Sequence, residues 1–385
     1  MLLDQTENRN KKLLEASFYF HQKGAIRPDS YLIDMDTLLE NARKILAEAK
    51  KHGISLYFML KQLGRNPYIA KKLIQLGYSG AVVVDYKEAR IMMNHKIPIG
   101  NIGHLVQIPT AMIEAVILYR PEIITVYSLE KIKQINVVCE KHNLIQSLMI
   151  RVYDKKDKLY SGQEAGFYLH ELPNMINEIK KLKSVKINGI TAFPTFLYQK
   201  ETDSIEPTSN MLTVLKAKKI FEDHDMNIKQ LNFPSATCYS SLEKIAAFGG
   251  THGEPGHGLS GTTPLHAVSS QVEIPCVVYV SEISHNFNKQ AYCYGGGHYR
   301  RSHMKKAYVG RQLQGAKQMQ FISPDDEAID YHLVLDKEAK VGDSVITAFR
   351  FQIFVTRSDV VLIEGLHNEK KEKILRYYDS QGREL

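Results

Sequence analysis

The sequence predicts a (β/α)8 TIM-like barrel of the α/β class followed by a C-terminal all-β domain, and three observations carry that prediction. From about residue 30, a short β-branched or aromatic run, a turn and a longer stretch of helical periodicity recur eight times. Every parallel strand pair needs a crossover, so alternation on this scale is what a closed parallel barrel requires. After about residue 266 strand-like runs follow one another without helices between them. The third observation is negative: no G-x-G-x-x-G follows the first run, which sets an open dinucleotide-binding sheet behind the barrel.

In chain order the eight runs are residues 30–36 (SYLIDMD), 55–60 (SLYFML), 80–85 (GAVVVD), 102–108 (IGHLVQI), 123–128 (IITVYS), 147–153 (SLMIRVY), 187–193 (INGITAF) and 230–233 (QLNF). Helical periodicity lies between them over residues 37–51, 67–76 and 129–141. The barrel is therefore assigned to residues 30–265 and the β domain to residues 266–385. In the latter, residues 276–280, 332–335, 344–348 and 360–364 read as strands, and Val341-Gly342-Asp343 as a tight turn. Residues 1–29 are polar with an aromatic cluster, Phe18, Tyr19 and Phe20, and can pack on either domain.

A chain of 385 residues accommodates two domains. It has no apolar run of bilayer length and no charged-then-apolar start of the signal-peptide kind, so a soluble, cytoplasmic protein with no membrane partner is expected. The four cysteines, Cys139, Cys238, Cys276 and Cys293, lack CxxC spacing, and neither a disulfide framework nor a metal site is expected. The formal charge of +8 comes from Lys and Arg scattered among Glu and Asp, which argues against a nucleic-acid partner. The excess suits anionic ligands.

In barrels the chemistry sits past the C-terminal ends of the strands. The second run, Tyr57-Phe58-Met59-Leu60, is followed directly by Lys61, where desolvation would make an amine nucleophilic; a surface lysine would occupy the same position equally well. The eighth run leads into Pro234-Ser235-Ala236-Thr237, and a Gly-rich stretch follows at residues 253–263 (GEPGHGLSGTT). Small residues with free backbone N–H groups after the last strands make a phosphate cup. Glycine-rich turns are also merely turns, but a phosphate site near a rim lysine argues for a functional site more than either feature does alone.

These residues resemble the fold-type III pyridoxal 5'-phosphate (PLP) enzymes, the group of alanine racemase and the ornithine and diaminopimelate decarboxylases, along nearly the whole chain. Tyr31-Leu32-Ile33-Asp34 with Asn41 is similar to the group's first strand and helix, Met59-Leu60-Lys61 to its lysine strand, and Gly77, Asp85 and Glu88-Ala89 to its third unit. The resemblance implies that Lys61 carries PLP as a Schiff base. It also implies that Ser235, Ala236 and Thr237 help bind the phosphate and that Gly256, His257 and Gly258 complete the cup.

Glu254-Pro255-Gly256 is the discriminating feature, since racemases of the group typically have Arg-Pro-Gly and the decarboxylases Glu-Pro-Gly-Arg. By that match Glu254 faces the pyridine nitrogen, favours its protonated form and strengthens the electron sink. His257 stands where the decarboxylases have arginine, so phosphate binding is expected to lean on backbone amides. Arg65 takes the place of a phosphate-reaching tyrosine and could pair with phosphate or a substrate carboxylate. His104 resembles a strand-four histidine of related PLP-binding proteins, while Arg151, Tyr153, Phe193 and Thr195 would lie near the cofactor or line the pocket.

Neither the Cys-Asp motif of the decarboxylases nor the Asp/His/Cys metal pattern of D-serine dehydratases and D-threonine aldolases is found. Residues 292–301 (YCYGGGHYRR) resemble most closely the YhfX-type branch of the group. Racemisation needs a second acid/base opposite the lysine, and in alanine racemase a tyrosine of the partner subunit provides it. Tyr292, Tyr294, His298 and Tyr299 are candidates, with His298 and Tyr299 preferred because they follow the triple glycine. Arg350 and Gln352 could reach across the interface. The expectation is a homodimeric amino-acid racemase; a PLP lyase or decarboxylase comes second and a non-catalytic PLP-binding protein third.

Overall fold

The structure is a computed structural model and describes residues 1–325, 327–367 and 372–385. The chain divides into two compact units, one of Met1–Lys44, Lys61–Asn66 and His257–Leu385, the other of Ile45–Leu60 and Pro67–Gly256.

In the second unit eight parallel strands close into a barrel. They are Ser55–Met59, Gly80–Val83, Ile99–Ile102, Ile123–Val126, Gln146–Tyr153, Val185–Thr191, Gln230–Asn232 and His252–Gly253, each paired with the next and the last with the first. Gly80–Val83, Ile99–Ile102 and Ile123–Val126 are buried at every position, as parallel strands covered on both faces must be. Crossover helices Pro67–Leu76 and Leu129–Lys141 fall where the periodicity puts them. The second is capped by Ser128, whose hydroxyl accepts from the Lys131 N–H.

The prediction of eight barrel strands holds, but their membership changes. The first expected strand, Ser30–Asp34, lies outside the barrel: it pairs antiparallel with Val277–Phe287 and in parallel with Asp359–Glu364. Its five positions are all buried, so the run carries no periodicity to say which sheet it joins. The missing eighth strand is His252–Gly253, two residues long and hidden in a glycine-rich stretch that reads as a turn. The 30–265 and 266–385 division consequently differs from the two compact units.

The run expected at residues 102–108 is displaced, because the strand is Ile99–Ile102 and residues 103–106 are bends. Pro98-Ile99-Gly100 looks like a chain breaker in sequence. Gly100 is required there because a Cβ would lie 2.1 Å from Cδ1 of the buried Tyr57 ring.

The first unit is built on an antiparallel sheet. Val277–Phe287, Gln290–Tyr294, His332–Leu335, Lys317–Ile322, Lys306–Gly310 and Ser344–Thr347 pair in that order, and the last returns to the first to close a ring. Residues 1–29 form helices Leu2–Arg9 and Lys11–Gln22, which pack on this sheet. Phe18, Leu13 and Leu14 join Leu32, Val278, Ile346 and Val361 in one apolar cluster. The predicted strands at 276–280, 332–335, 344–348 and 360–364 all fall within one residue or so of strands, although the first runs on to Phe287. Among the described residues no helix is long and apolar enough to cross a membrane.

Candidate active site

The barrel unit gathers polar side chains at the C-terminal ends of its strands. Glu254 directly follows His252–Gly253 and is 6% exposed. Its Oε1 accepts hydrogen bonds from Asn232 Nδ2 at 2.6 Å and Asn101 Nδ2 at 3.0 Å. Asn101 is itself oriented by Thr125, whose hydroxyl donates to Asn101 Oδ1 at 2.7 Å. Two amides on one carboxylate oxygen favour the ionised form, offsetting part of the cost of burying it. The Glu254 N–H donates to Thr237 Oγ1 at 3.0 Å, and a Cβ on Gly253 would approach Thr237 Cγ2 to 2.9 Å. Thr237 is thereby tied to the backbone that carries Glu254.

Ser235 and Ala236 are consecutive non-glycine residues in the left-handed region, with φ of 89° and 53°. Such strain is retained where the surroundings over-determine it, and it clusters at functional turns. The Ser235 hydroxyl donates to the Phe196 carbonyl at 2.6 Å, so its proton is committed inside the unit.

His104 falls in the turn after its strand, 1% exposed, with its ring edge-on to Phe193 at 5.5 Å. Its carbonyl accepts from the Tyr127 hydroxyl and from Arg151 Nη1. Arg151, 2% exposed, also donates to Tyr127 Oη at 3.1 Å and the Gln163 carbonyl at 2.8 Å, and lies over the Tyr127 ring. Phe193 and Thr195 flank Pro194, and the Thr195 hydroxyl donates to the Pro234 carbonyl at 2.6 Å.

The other unit holds the second set. Lys61 opens a short 3-10 turn, Lys61–Leu63, and is partly exposed. Gly64 and Arg65 then take φ of 68° and 53° and reverse the chain sharply. Arg65 is 3% exposed, donates to Gln381 Oε1 at 2.8 Å and lies 5.1 Å over the Phe354 ring. Gly258 is buried in the short helix His257–Ser260 that also carries His257.

The His257 Nε2 lies 3.4 Å from both Arg350 Nε and Gln352 Nε2, and Nδ1 lies 3.0 Å from Thr262 Oγ1. Burial of the ring, then the charges of Arg350 and Lys61, push its pKa well below the usual histidine value. His257 is therefore neutral at pH 7. Arg350 and Gln352 thus meet His257 within their own chain.

His298 and Tyr299 are half-buried and follow a triple glycine that is held closely. The Tyr31 hydroxyl donates to the Gly297 carbonyl at 2.6 Å, and a Cβ on Gly296 would come within 2.0 Å of Asp29 Oδ2. Asp29 accepts from Tyr279 and Ser358, yet burial raises its pKa to about 6. Burial also lowers the pKa of His298, against a rise from Asp330. Tyr292 and Tyr294 lie on Gln290–Tyr294, where Tyr292 stacks on His285 at 4.7 Å and Tyr294 tilts toward His332 at 6.0 Å.

Sequence reasoning missed Asn101, Asn232 and Thr125. Their signal was present as amide and hydroxyl residues near the ends of otherwise apolar barrel strands, a placement that is costly unless the group has a partner.

The chain matches the model of the alanine racemase N-terminal domain over residues 33–264 and that of the YhfX-like C-terminal domain over residues 278–373. It is 42% identical over 386 residues, spanning 100% of both chains, to a protein of Escherichia coli (strain K12) described as "Uncharacterized protein YhfX". Its fold is similar to that of D-threonine aldolase from Filomicrobium marinum, with TM-score 0.67 and 13% identity over 93% of this chain and 96% of that one. It is also similar to alanine racemase of Clostridium difficile 630 in complex with cycloserine, with TM-score 0.63 and 16% identity over 91% and 98%. At these identities the structural likeness is one of fold, and the two enzymes are named for different reactions.

Proposed function

The chain belongs to the alanine racemase N-terminal domain family, in its YhfX-like branch, and from that membership we propose that it is a PLP-dependent amino-acid racemase. The observation that carries the PLP part of this reading is Glu254, a buried carboxylate at the barrel's C-terminal end with Asn101 and Asn232 both on Oε1; racemisation rests on the family membership. A carboxylate so supported fits the pyridine nitrogen of PLP, and the left-handed Ser235-Ala236 turn fits its phosphate. When bound, the cofactor supplies an electron sink for the bond broken at Cα.

The chain's own residues then divide the work. Lys61 would hold the cofactor through Nζ and, once the substrate's amine has displaced it there, the freed Nζ amine would take the Cα proton on one face. Glu254 would face the ring nitrogen and favour its protonated form, with Asn101 and Asn232 as positioning residues. The second proton comes from the opposite face, from the partner subunit's His298 or Tyr299. Burial lowers the pKa of His298, so its ring is neutral at pH 7 and suits taking a Cα proton, whereas the Tyr299 hydroxyl carries one to give.

Glu254-Pro255-Gly256 favours a second reading, a decarboxylase or lyase, because that triplet matches the decarboxylases. The test is an absorbance scan with PLP, with and without borohydride, on wild type and Lys61→Ala, followed by incubation with single amino-acid enantiomers in D2O. Covalent trapping on wild type alone, then deuterium at Cα with appearance of the other enantiomer, is expected. Cofactor uptake with release of CO2 or a shortened product would select the second reading, and no uptake by wild type would reject both.

A further inference from the structure

The phosphate cup expected at residues 256–258 carries no charge of its own, because His257 is neutral. The hydrogen bonds around the ring say how. An arginine N–H can only donate, so Nε2 facing Arg350 Nε must be the acceptor and the ring proton sits on Nδ1, donated to Thr262 Oγ1 at 3.0 Å. Thr262 in turn shares a hydrogen bond with Ser260 Oγ at 2.7 Å, and Ser260 Oγ donates to the His257 carbonyl at 3.3 Å. The tautomer is thus set from one side by a hydroxyl pair and from the other by a guanidinium.

Arg350 is itself held in place. Its neighbours Phe349 and Phe351 are 3% and 2% exposed and pack against the Tyr31 ring at 6.2 and 5.7 Å. Phe351 also lies 5.9 Å from the His257 ring, and Arg350 and Gln352 on either side of it both reach His257 Nε2. The Arg350 N–H donates to the Ser302 carbonyl at 3.1 Å. Gln352 is 8% exposed, and its Oε1 is buried with no hydrogen-bond partner among the described residues. Lys61 lies close enough in the same unit to act on the His257 ring. A lysine and an arginine thus bear on one neutral imidazole.

We propose that Arg350, set by His257 and Gln352, is the cation that holds the phosphate of the cofactor, in place of the arginine that follows Glu-Pro-Gly in the decarboxylases. This rests on the PLP reading. His257 then acts as a positioning residue: it orients the guanidinium through Nε2 and adds no charge.

The experiment compares PLP with pyridoxal, which has the same ring and aldehyde but no phosphate. Equilibrium binding to wild type, Arg350→Gln, Arg350→Lys and His257→Asn is read by absorbance, without turnover. Arg350→Gln is expected to weaken PLP about 10- to 100-fold, the worth of a charge-assisted hydrogen bond, and to leave pyridoxal within about twofold. Arg350→Lys should restore part of the loss, and His257→Asn should weaken PLP less than Arg350→Gln. Inorganic phosphate should compete with PLP on wild type and lose that effect in Arg350→Gln.

Equal weakening of PLP and pyridoxal would make Arg350 a packing residue and overturn the proposal, as would unchanged PLP affinity. If Arg350→Gln does not fold by circular dichroism, Arg350→Lys decides: PLP weakened with pyridoxal unchanged supports the proposal, and any other pattern overturns it. Wild type that takes up neither compound would instead reject the cofactor reading itself.

Discussion

The Glu254 cluster makes a quantitative prediction that does not depend on any ligand. Asn232 Nδ2 lies 2.6 Å from Glu254 Oε1, and Asn232 Oδ1 is buried with no hydrogen-bond partner among the described residues. A hydrogen bond to a charged group is worth about 1.5–3 kcal/mol, and an unsatisfied buried carbonyl costs about 1–3 kcal/mol. Asn232→Leu removes both, so the single substitution should change stability by no more than about 1–2 kcal/mol. Its partner Glu254→Gln keeps an acceptor of the same shape but reduces the bond to a neutral one worth about 0.5–1.5 kcal/mol.

The charge-assisted part therefore appears only in the double-mutant cycle, as an interaction of about 1–2 kcal/mol. Because the chain has two units, global unfolding would mix their transitions. Hydrogen exchange of the Ser55–Met59 and Gln230–Asn232 amides in increasing urea isolates the barrel. A cycle that closes to within about 0.5 kcal/mol would refute the claim that Asn232 supports an ionised Glu254.

Gly100→Ala should destabilise the barrel by about 1–3 kcal/mol or more, since the new Cβ meets a Tyr57 ring pinned by Glu122 at 2.7 Å; Tyr57→Leu should recover part of that loss in thermal melts, and an unchanged melting point for Gly100→Ala would count against the packing. The Asp34–His367 pair, 3.0 Å apart, predicts a pH dependence in the other unit. The bond to Asp34 raises the His367 pKa; burial would raise Asp34, but hydrogen bonds from His367, Thr37 and Asn10 outweigh it and lower the carboxylate. The histidine stabilises fully below about pH 6.5 and its share is lost as pH climbs through the raised value, while the carboxylate's share is lost as pH falls through the lowered one. His367 is 36% exposed, so screening holds the effect to about 1 kcal/mol or less. Wild type should lose more stability than His367→Gln between about pH 6 and pH 8.5 in parallel melts, and equal slopes would remove the pair from the account.

How much of this was legible in sequence follows from the range of the forces involved. Helices Pro67–Leu76 and Leu129–Lys141 were readable to the residue because periodicity and capping act within a few residues. Lys61 after an apolar strand and Glu254-Pro255-Gly256 after the last one stood out for the same reason: barrel chemistry clusters at strand ends. The strand at Ser30–Asp34 did not reveal its sheet, since a wholly buried run fits any covered sheet and only the pairings with Val277–Phe287 and Asp359–Glu364 decide.

The sequence by itself determined the alternation that makes a barrel, the change to an all-β region and the residue types available at the strand ends. Tertiary structure alone decided which of them meet. Asn101 reaches Glu254 across 153 positions and Arg350 reaches His257 across 93. Such contacts leave no local pattern, because they join residues far apart in the chain rather than expressing propensities of neighbouring residues.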